Sequence, residues 1–271
     1  MTIIETIKTR KSCRTYCNRA IEPEKLAELR QFLASNTKTP FGSKVRFHLI
    51  DFNEMEIGEL KNLTTYGVIK GARQFIVGTV EKQPRAMEDY GYCMERNILK
   101  ATSMGLGTCL LGGTFKRSGF ADKISIHEGE LLPVISPVGY PRDKRSVVDR
   151  MFRMFASSDK RKPWHELFYL HGIDTFLDKE NSGRFDTPLE CVRMAPSALN
   201  KQPWRVIKAK MPFIFISKGH RDMRILSKIS SSRTLIWVLP CVILICRQES
   251  LGLQEIGMST ILKSNHTVWN I

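Results

Sequence analysis

The run Ala195-Pro196-Ser197-Ala198-Leu199-Asn200-Lys201-Gln202-Pro203-Trp204 constrains this chain more than any other feature. Pro196 and Pro203 bracket it, and proline lacks the N–H that a helix interior or a central strand requires. Serine and asparagine between them favour turns. Thr187-Pro188-Leu189 predicts a helix that opens on proline and runs through Met194. Trp204 begins a strand on the far side and reads as a core anchor. The chain therefore holds a helix, a turn-rich loop and a strand in this order, late in its 271 residues.

Upstream, residues 2–9 predict a short helix. Pro23 suits the first position of another, whose apolar face, Leu26, Leu29, Phe32 and Leu33, extends to about Ala34. Val45, Phe47 and Leu49 alternate with Arg46, His48 and Ile50, which predicts a strand with at least one buried face. Gln74 to Val80 predicts a central strand. Tyr90, Met94, Ile98 and Ala101 recur at helical spacing within Ala86–Met104, and Gly105 closes that long helix. Leu131 to Val138 predicts a strand, Gly139-Tyr140-Pro141 a turn, and Val147 to Phe155 and Trp164 to Leu170 two further helices. The polar stretch Ser157 to Pro163 reads as a linker. It separates a first unit, 1–156, from the start of a second, 164–207. Shifted by 163 positions, Leu26, Arg30, Lys38, Pro40 and Phe41 fall on Leu189, Arg193, Lys201, Pro203 and Trp204. Such agreement in a short window indicates an internal duplication.

From about Lys208 the patterning breaks. Leu235 to Cys246 is almost wholly apolar, has neither a helical nor a strand period, and carries Pro240 in its middle. It is shorter than the roughly 20 residues that span a bilayer. Reading the third base of each codon with the first two of the next gives a different picture, with synonymous codons chosen freely. Residues 213–218 then read YFYIK, 234–246 read LDMGIAMCHFDL and 251–258 read GLAGNWY. This order of helix and Gly-Leu-x-Gly repeats Asn97 to Gly107. The expectation is a frame shift in the adenine-rich codons near Lys208-Ala209-Lys210-Met211, which makes 208–271 an out-of-frame tail. The alternative is a divergent but genuine C-terminal segment.

The formal net charge of +15 raises nucleic acid as a partner. The basic residues are scattered, however, and residues 208–271 supply nine of them against three acidic ones. Neither nucleic-acid nor membrane binding is expected. Met1-Thr2-Ile3-Ile4-Glu5 runs directly into charges, so no secretory signal is expected. Cys13, Cys17, Cys93, Cys109, Cys191, Cys241 and Cys246 form no C-x-x-C pair, which predicts reduced thiols and a cytoplasmic protein.

Arg10-Lys11-Ser12-Cys13-Arg14 sets two guanidinium groups and a hydroxyl close together, a good arrangement for phosphate. Taken alone, the same residues also fit a solvated basic loop. Lys144 and Arg145 stand at a predicted helix start, where acidic residues normally lie, and so invite an anion. Gly105, Gly107, Gly112 and Gly113 permit left-handed backbone or close approach. No GxGxxG, phosphate-cradling P-loop, GxSxG or HExxH pattern is present. The histidines are dispersed, and Glu95 on the long helix reads as core or substrate-facing.

Together, Arg10-x-Ser12-x-Arg14, the Pro196-Ser197-x-x-Asn200-x-Gln202-Pro203-Trp204 loop and the basic pair after Gly139-x-Pro141 resemble the nitroreductase family of flavoproteins. More narrowly, they resemble its single-chain tandem form. The resemblance implies an α+β fold of two pseudo-symmetric halves, each with a mostly antiparallel sheet flanked by helices. It implies FMN bound by Arg10, Lys11, Ser12, Arg14, Gly112, Gly113, Lys144, Arg145, Pro196, Ser197, Asn200 and Gln202. The amides of Asn200 and Gln202 would pair with the flavin pyrimidine ring. Electrons would pass from NAD(P)H to a nitroaromatic, quinone or similar small acceptor in a ping-pong mechanism, with no catalytic side chain assigned. Asn36-Thr37-Lys38-Thr39-Pro40-Phe41 lacks the Asn-x-Gln pattern, and Arg161-Lys162-Pro163-Trp164 lacks Arg-x-Ser-x-Arg. One flavin per chain and a monomeric pseudo-dimer follow. The competing reading is a flavin-binding pseudo-enzyme or an inactive frameshifted product.

Overall fold

The computed structural model describes residues 1–54, 63–142, 160–171 and 174–208, and the backbone of 213–217, 259–263 and 266–270. Helix α1 (Ile3–Thr9) starts at a capping box in which Thr2 and Glu5 each accept the other's backbone N–H. Helix α2 (Pro23–Ser35) carries its proline at the first position, where no hydrogen bond is lost. Strands β1 (Val45–Asp51) and β2 (Gln74–Glu81) pair antiparallel, with Val45 opposite Val80. Helix α3 (Ala86–Ser103) follows and ends before Gly105, whose φ of 78° only glycine adopts freely. The first sheet then takes in β3 (Gly107–Thr108), β4 (Glu130–Leu131) and β5 (Ile135–Gly139) in the order β1-β2-β5-β3, with β4 also against β2. Helix α4 (Arg117–Lys123) lies between β3 and β4. The single strand expected over Leu131–Val138 is two strands, because pairing lapses around Pro133, which has no N–H to give the ladder.

A second sheet runs β6-β7-β8-β10-β9, from β6 (Phe168–Leu170), β7 (Trp204–Lys208), β8 (Phe213–Ser217), β9 (Ser259–Lys263) and β10 (His266–Asn270). All its pairings are antiparallel except β6 with β7. The helix expected over Trp164–Leu170 is only one 3-10 turn, Trp164–Glu166. Phe168-Tyr169-Leu170 suits a pleated surface and gains pairing with Val206–Lys208, which outweighs helix propensity there. Helix α5 (Asp186–Met194) starts one residue earlier than expected and leads into the turn-rich loop. The helix expected over Val147–Phe155 and the apolar run Leu235–Cys246 lie outside the described residues. Among the described residues, no helix is long and apolar enough to cross a membrane.

Side-chain alternation along β2 divides the core. Ile76 and Val80 face one cluster, while Phe75 and Val77 face another. The first cluster joins both parts of the chain: Ile7, Leu29, Leu33, Phe47, Met94 and Ile98 share it with Phe168, Leu189, Val192 and Trp204. The second packs Phe75 against Phe52, with ring centroids 4.7 Å apart, and against Phe115, Phe120 and Ile135. Trp204 is 2% exposed, and burying a side chain of this size contributes on the order of 2–3 kcal/mol. It anchors the end of the loop, as expected. Helix α1 packs on both α3 and α5, so the residues that leave α1 and α5 start from contacting helices.

Candidate functional site

Arg10 ends α1 with extended backbone, and the chain beyond it is stitched to three neighbours. Ser12 pairs parallel with Thr108 of β3, and the Cys13 amide donates to the Thr108 carbonyl at 2.8 Å. A β-carbon on Gly107 would lie 2.8 Å from that of Cys13, so glycine is required there for the two segments to touch. Gly107 thus approaches Cys13 closely, while Gly105 takes left-handed backbone with nothing within 4 Å of an added β-carbon. Next, Lys70 donates its amide to Arg14 at 2.9 Å, and the Tyr16 amide donates to the Lys70 carbonyl at 2.8 Å. Finally, Tyr16 pairs with Pro141, the Cys17 amide reaches the Tyr140 carbonyl at 3.0 Å, and the Arg142 amide reaches the Thr15 carbonyl at 3.0 Å.

This stitching gathers charge. Lys70 and Arg142, both exposed, join Arg10, Lys11 and Arg14 along one short strand. Neither was legible in the sequence, since each arrives through backbone pairing rather than through a motif. Among the described residues, the Arg10 and Lys11 side chains make no hydrogen bond or ion pair. Glu95 of α3 is 2% exposed, and its Oε2 has no hydrogen-bond partner among the described residues. Burial raises its carboxyl above the usual range, while the Arg10 charge acts the other way. Lys144 and Arg145 lie outside the described residues.

The turn-rich loop opens where Pro196 forces Ala195 out of helical backbone, to φ −56° and ψ 147°. Leu199, Asn200 and Gln202 then take left-handed backbone, with φ of 49°, 53° and 44°. Their shape is held by the segment 160–162. Arg161 donates to Asn200 Oδ1 and, at 2.9 Å, to the Met194 carbonyl at the end of α5. Asn200 Nδ2 donates to the Lys160 carbonyl at 2.7 Å, and the Lys162 amide donates to Gln202 Oε1 at 3.0 Å. The Gln202 amide nitrogen of the backbone reaches Ser197 Oγ at 2.9 Å. Both side-chain amides that the sequence aimed at a pyrimidine ring are thus engaged with this segment. Pro196 and Ser197 are half-buried at the loop entrance.

A family model described as "Putative TM nitroreductase" matches residues 2–229. The chain belongs to this nitroreductase family. A protein of the same description from Thermotoga maritima has a similar structure, at 19% identity and a TM-score of 0.61, over 100% of this chain and 94% of that one. The chain also aligns with an FMN-dependent nitroreductase from Clostridium difficile, at 20% identity and a TM-score of 0.44, over 53% of this chain and 90% of that one. A nitroreductase with bound FMN from Bacteroides fragilis aligns at 19% identity and a TM-score of 0.42, over 54% and 92%. No curated protein matches the sequence.

In this nitroreductase-family chain, Gly112 and Gly113 sit between β3 and α4. The Gly112 carbonyl accepts from Arg117 at 3.0 Å, and neither glycine is left-handed. The loop after α2 is put to a different use from the loop after α5. Asp89, fully buried, accepts from the Phe41 and Ser43 amides at 2.8 Å each. Asn36 Nδ2 donates to the Cys93 carbonyl at 2.7 Å and to Asn97 Oδ1 at 2.6 Å. That loop is fastened onto α3.

Proposed function

We propose that this chain is an FMN-dependent oxidoreductase that passes electrons from NAD(P)H to a nitroaromatic, quinone or similar small acceptor in alternating half-reactions. The observation that carries this reading is the stitched cationic strand, on which Arg10, Lys11 and Arg14 follow one another and to which Lys70 and Arg142 are joined by backbone hydrogen bonds at Arg14, Tyr16 and Thr15. This donor set fits a phosphate monoester: guanidinium groups give forked, charge-assisted hydrogen bonds, and the Arg10 and Lys11 side chains make no hydrogen bond or ion pair among the described residues. Arg10, Lys11, Ser12 and Arg14 would hold the phosphate, with Lys144 and Arg145 as further contacts. Pro196, Ser197, Asn200, Gln202, Gly112 and Gly113 would border the ring system. The chemistry supplied by bound FMN is two-electron transfer, and the protein contributes binding, orientation and electrostatics.

Two features support a tandem of diverged copies with one flavin site per chain. The order helix, loop, strand, antiparallel strand occurs as α2 to β2 and again as α5 to β8. The loop after α2 is closed by Asp89 and Asn36, while the loop after α5 keeps the Asn-x-Gln pattern. A pseudo-dimer of this kind would act as a monomer in the cytoplasm. A frame shift near Lys208–Met211 remains our account of the irregular run Leu235–Cys246. The family match in the written frame extends to residue 229, which weighs against a shift at that position. The strand Phe213–Ser217 supports neither frame over the other, since FIFIS and the shifted YFYIK both suit a strand.

Equilibrium binding of FMN against riboflavin tests the phosphate assignment. Two charge-assisted hydrogen bonds predict FMN binding about a hundredfold tighter. Equal affinities would remove the phosphate role from the cationic strand.

A further inference from the structure

The amides of Asn200 and Gln202 are not free donors and acceptors at the edge of the loop, and this changes which residue sets the loop's shape. Leu199, Asn200 and Gln202 all have left-handed backbone, and only Leu199 among them is well exposed, at 48%. Such backbone costs of order 1–3 kcal/mol per residue and persists where the surroundings over-determine it. Here those surroundings come from residues some forty positions earlier, at 160–162. We propose that Arg161 is the positioning residue of this loop: its guanidinium joins the last turn of α5, through the Met194 carbonyl, to the loop apex, through Asn200 Oδ1. Asn200 returns the contact through Nδ2 to the Lys160 carbonyl, and Gln202 Oε1 accepts from the Lys162 amide. A planar guanidinium can hold two acceptors at once in fixed geometry, which a lysine ammonium on a flexible stem cannot do as well. Asn200 then serves as the receiver of Arg161, its side-chain amide committed to segment 160–161 at the border of the proposed ring site. The link from loop shape to flavin recognition rests on the function proposed above.

The test uses the full chain with Arg161→Ala, Arg161→Lys, Asn200→Gly and the Arg161→Ala/Asn200→Gly double variant. Glycine at 200 removes the amide without penalising left-handed backbone. The first readout needs no flavin: the rate of trypsin cleavage after exposed Lys201, followed by mass spectrometry, with thermal melting to exclude global unfolding. The expectation is cleavage about tenfold faster in Arg161→Ala, intermediate in Arg161→Lys, and at an unchanged melting temperature. The second readout is FMN affinity. It should fall about thirtyfold in Arg161→Ala, as for loss of a hydrogen bond to a charged group, and fall no further in the double variant. Unchanged cleavage at Lys201 in Arg161→Ala overturns the positioning role whether or not FMN binds. Losses of FMN affinity that multiply in the double variant also overturn it, since Asn200 would then act independently of Arg161. Faster cleavage in a chain whose parent never binds FMN keeps the positioning role and removes the flavin reading instead.

Discussion

Gly71→Ala asks whether the cationic strand is held by the contacts that make it a site. Gly71 has a φ of +80°, and a β-carbon there would lie 2.5 Å from the Tyr16 carbonyl oxygen and 3.2 Å from its carbon. Two costs follow. Left-handed backbone penalises alanine by roughly 1–2 kcal/mol. The clash is with backbone, so no rotamer relieves it, and a forced shift of this kind costs about 1–3 kcal/mol more. The segments that must part are those joined by Tyr16 N to Lys70 O and Lys70 N to Arg14 O. Gly42→Ala is the matched control, because its φ of +83° carries the backbone cost while nothing lies within 4 Å of the added carbon. Urea unfolding should show Gly71→Ala about 1–3 kcal/mol less stable than Gly42→Ala, with similar m-values. FMN affinity should drop about tenfold in the first variant and hold in the second, since only the first displaces Arg14. Equal stabilities and equal FMN affinities in the two variants would refute the claim that Lys70–Gly71 clamps the strand.

Other outcomes follow from the same structure. Lys70→Ala and Arg142→Ala should each weaken FMN binding several-fold at low ionic strength, with the effect shrinking in high salt and riboflavin binding unaffected. Asp89→Ala leaves the Phe41 and Ser43 amides without their acceptor, so it should destabilise by about 3 kcal/mol in denaturant titrations without adding a second FMN per chain. Hydrogen bonds from Arg46 hold the Glu130 carboxyl at about 2, below its unfolded value. This contribution is fully present above roughly pH 4.5 and fades as pH falls toward 2. Arg46→Met should therefore lower stability at pH 7 by about 2 kcal/mol and flatten the acid end of the stability profile.

The sequence exposed what depends on local rules. Pro23, Gly105 and Pro196 set helix ends that the structure keeps, because proline and glycine act on their own backbone. Alternation at Val45–Leu49 and the apolar run at Gln74–Val80 placed two paired strands for the same reason. What escaped depends on pairing partners far away in the chain. Phe168–Leu170 is a strand because Val206–Lys208 lies beside it, and no periodicity over three residues can announce that. Lys70 and Arg142 reach the cationic strand through backbone bonds to Arg14, Tyr16 and Thr15, so they carry no local signature. Arg161 was visible only as a residue outside the expected motif, and its contact with Asn200 required the loop to fold back by some forty residues. Asp89 likewise shows its role only once the loop at Phe41–Ser43 is placed over α3.

The most direct measurement is anaerobic titration of the full chain, loaded with FMN and freed of excess, with NADH and with NADPH. The account predicts one FMN per chain, a visible flavin band that either reduced nicotinamide bleaches, and its return on adding a quinone or nitroaromatic acceptor. A chain that stays colourless after loading would contradict the flavin site. A bound flavin that neither nicotinamide reduces would contradict the oxidoreductase.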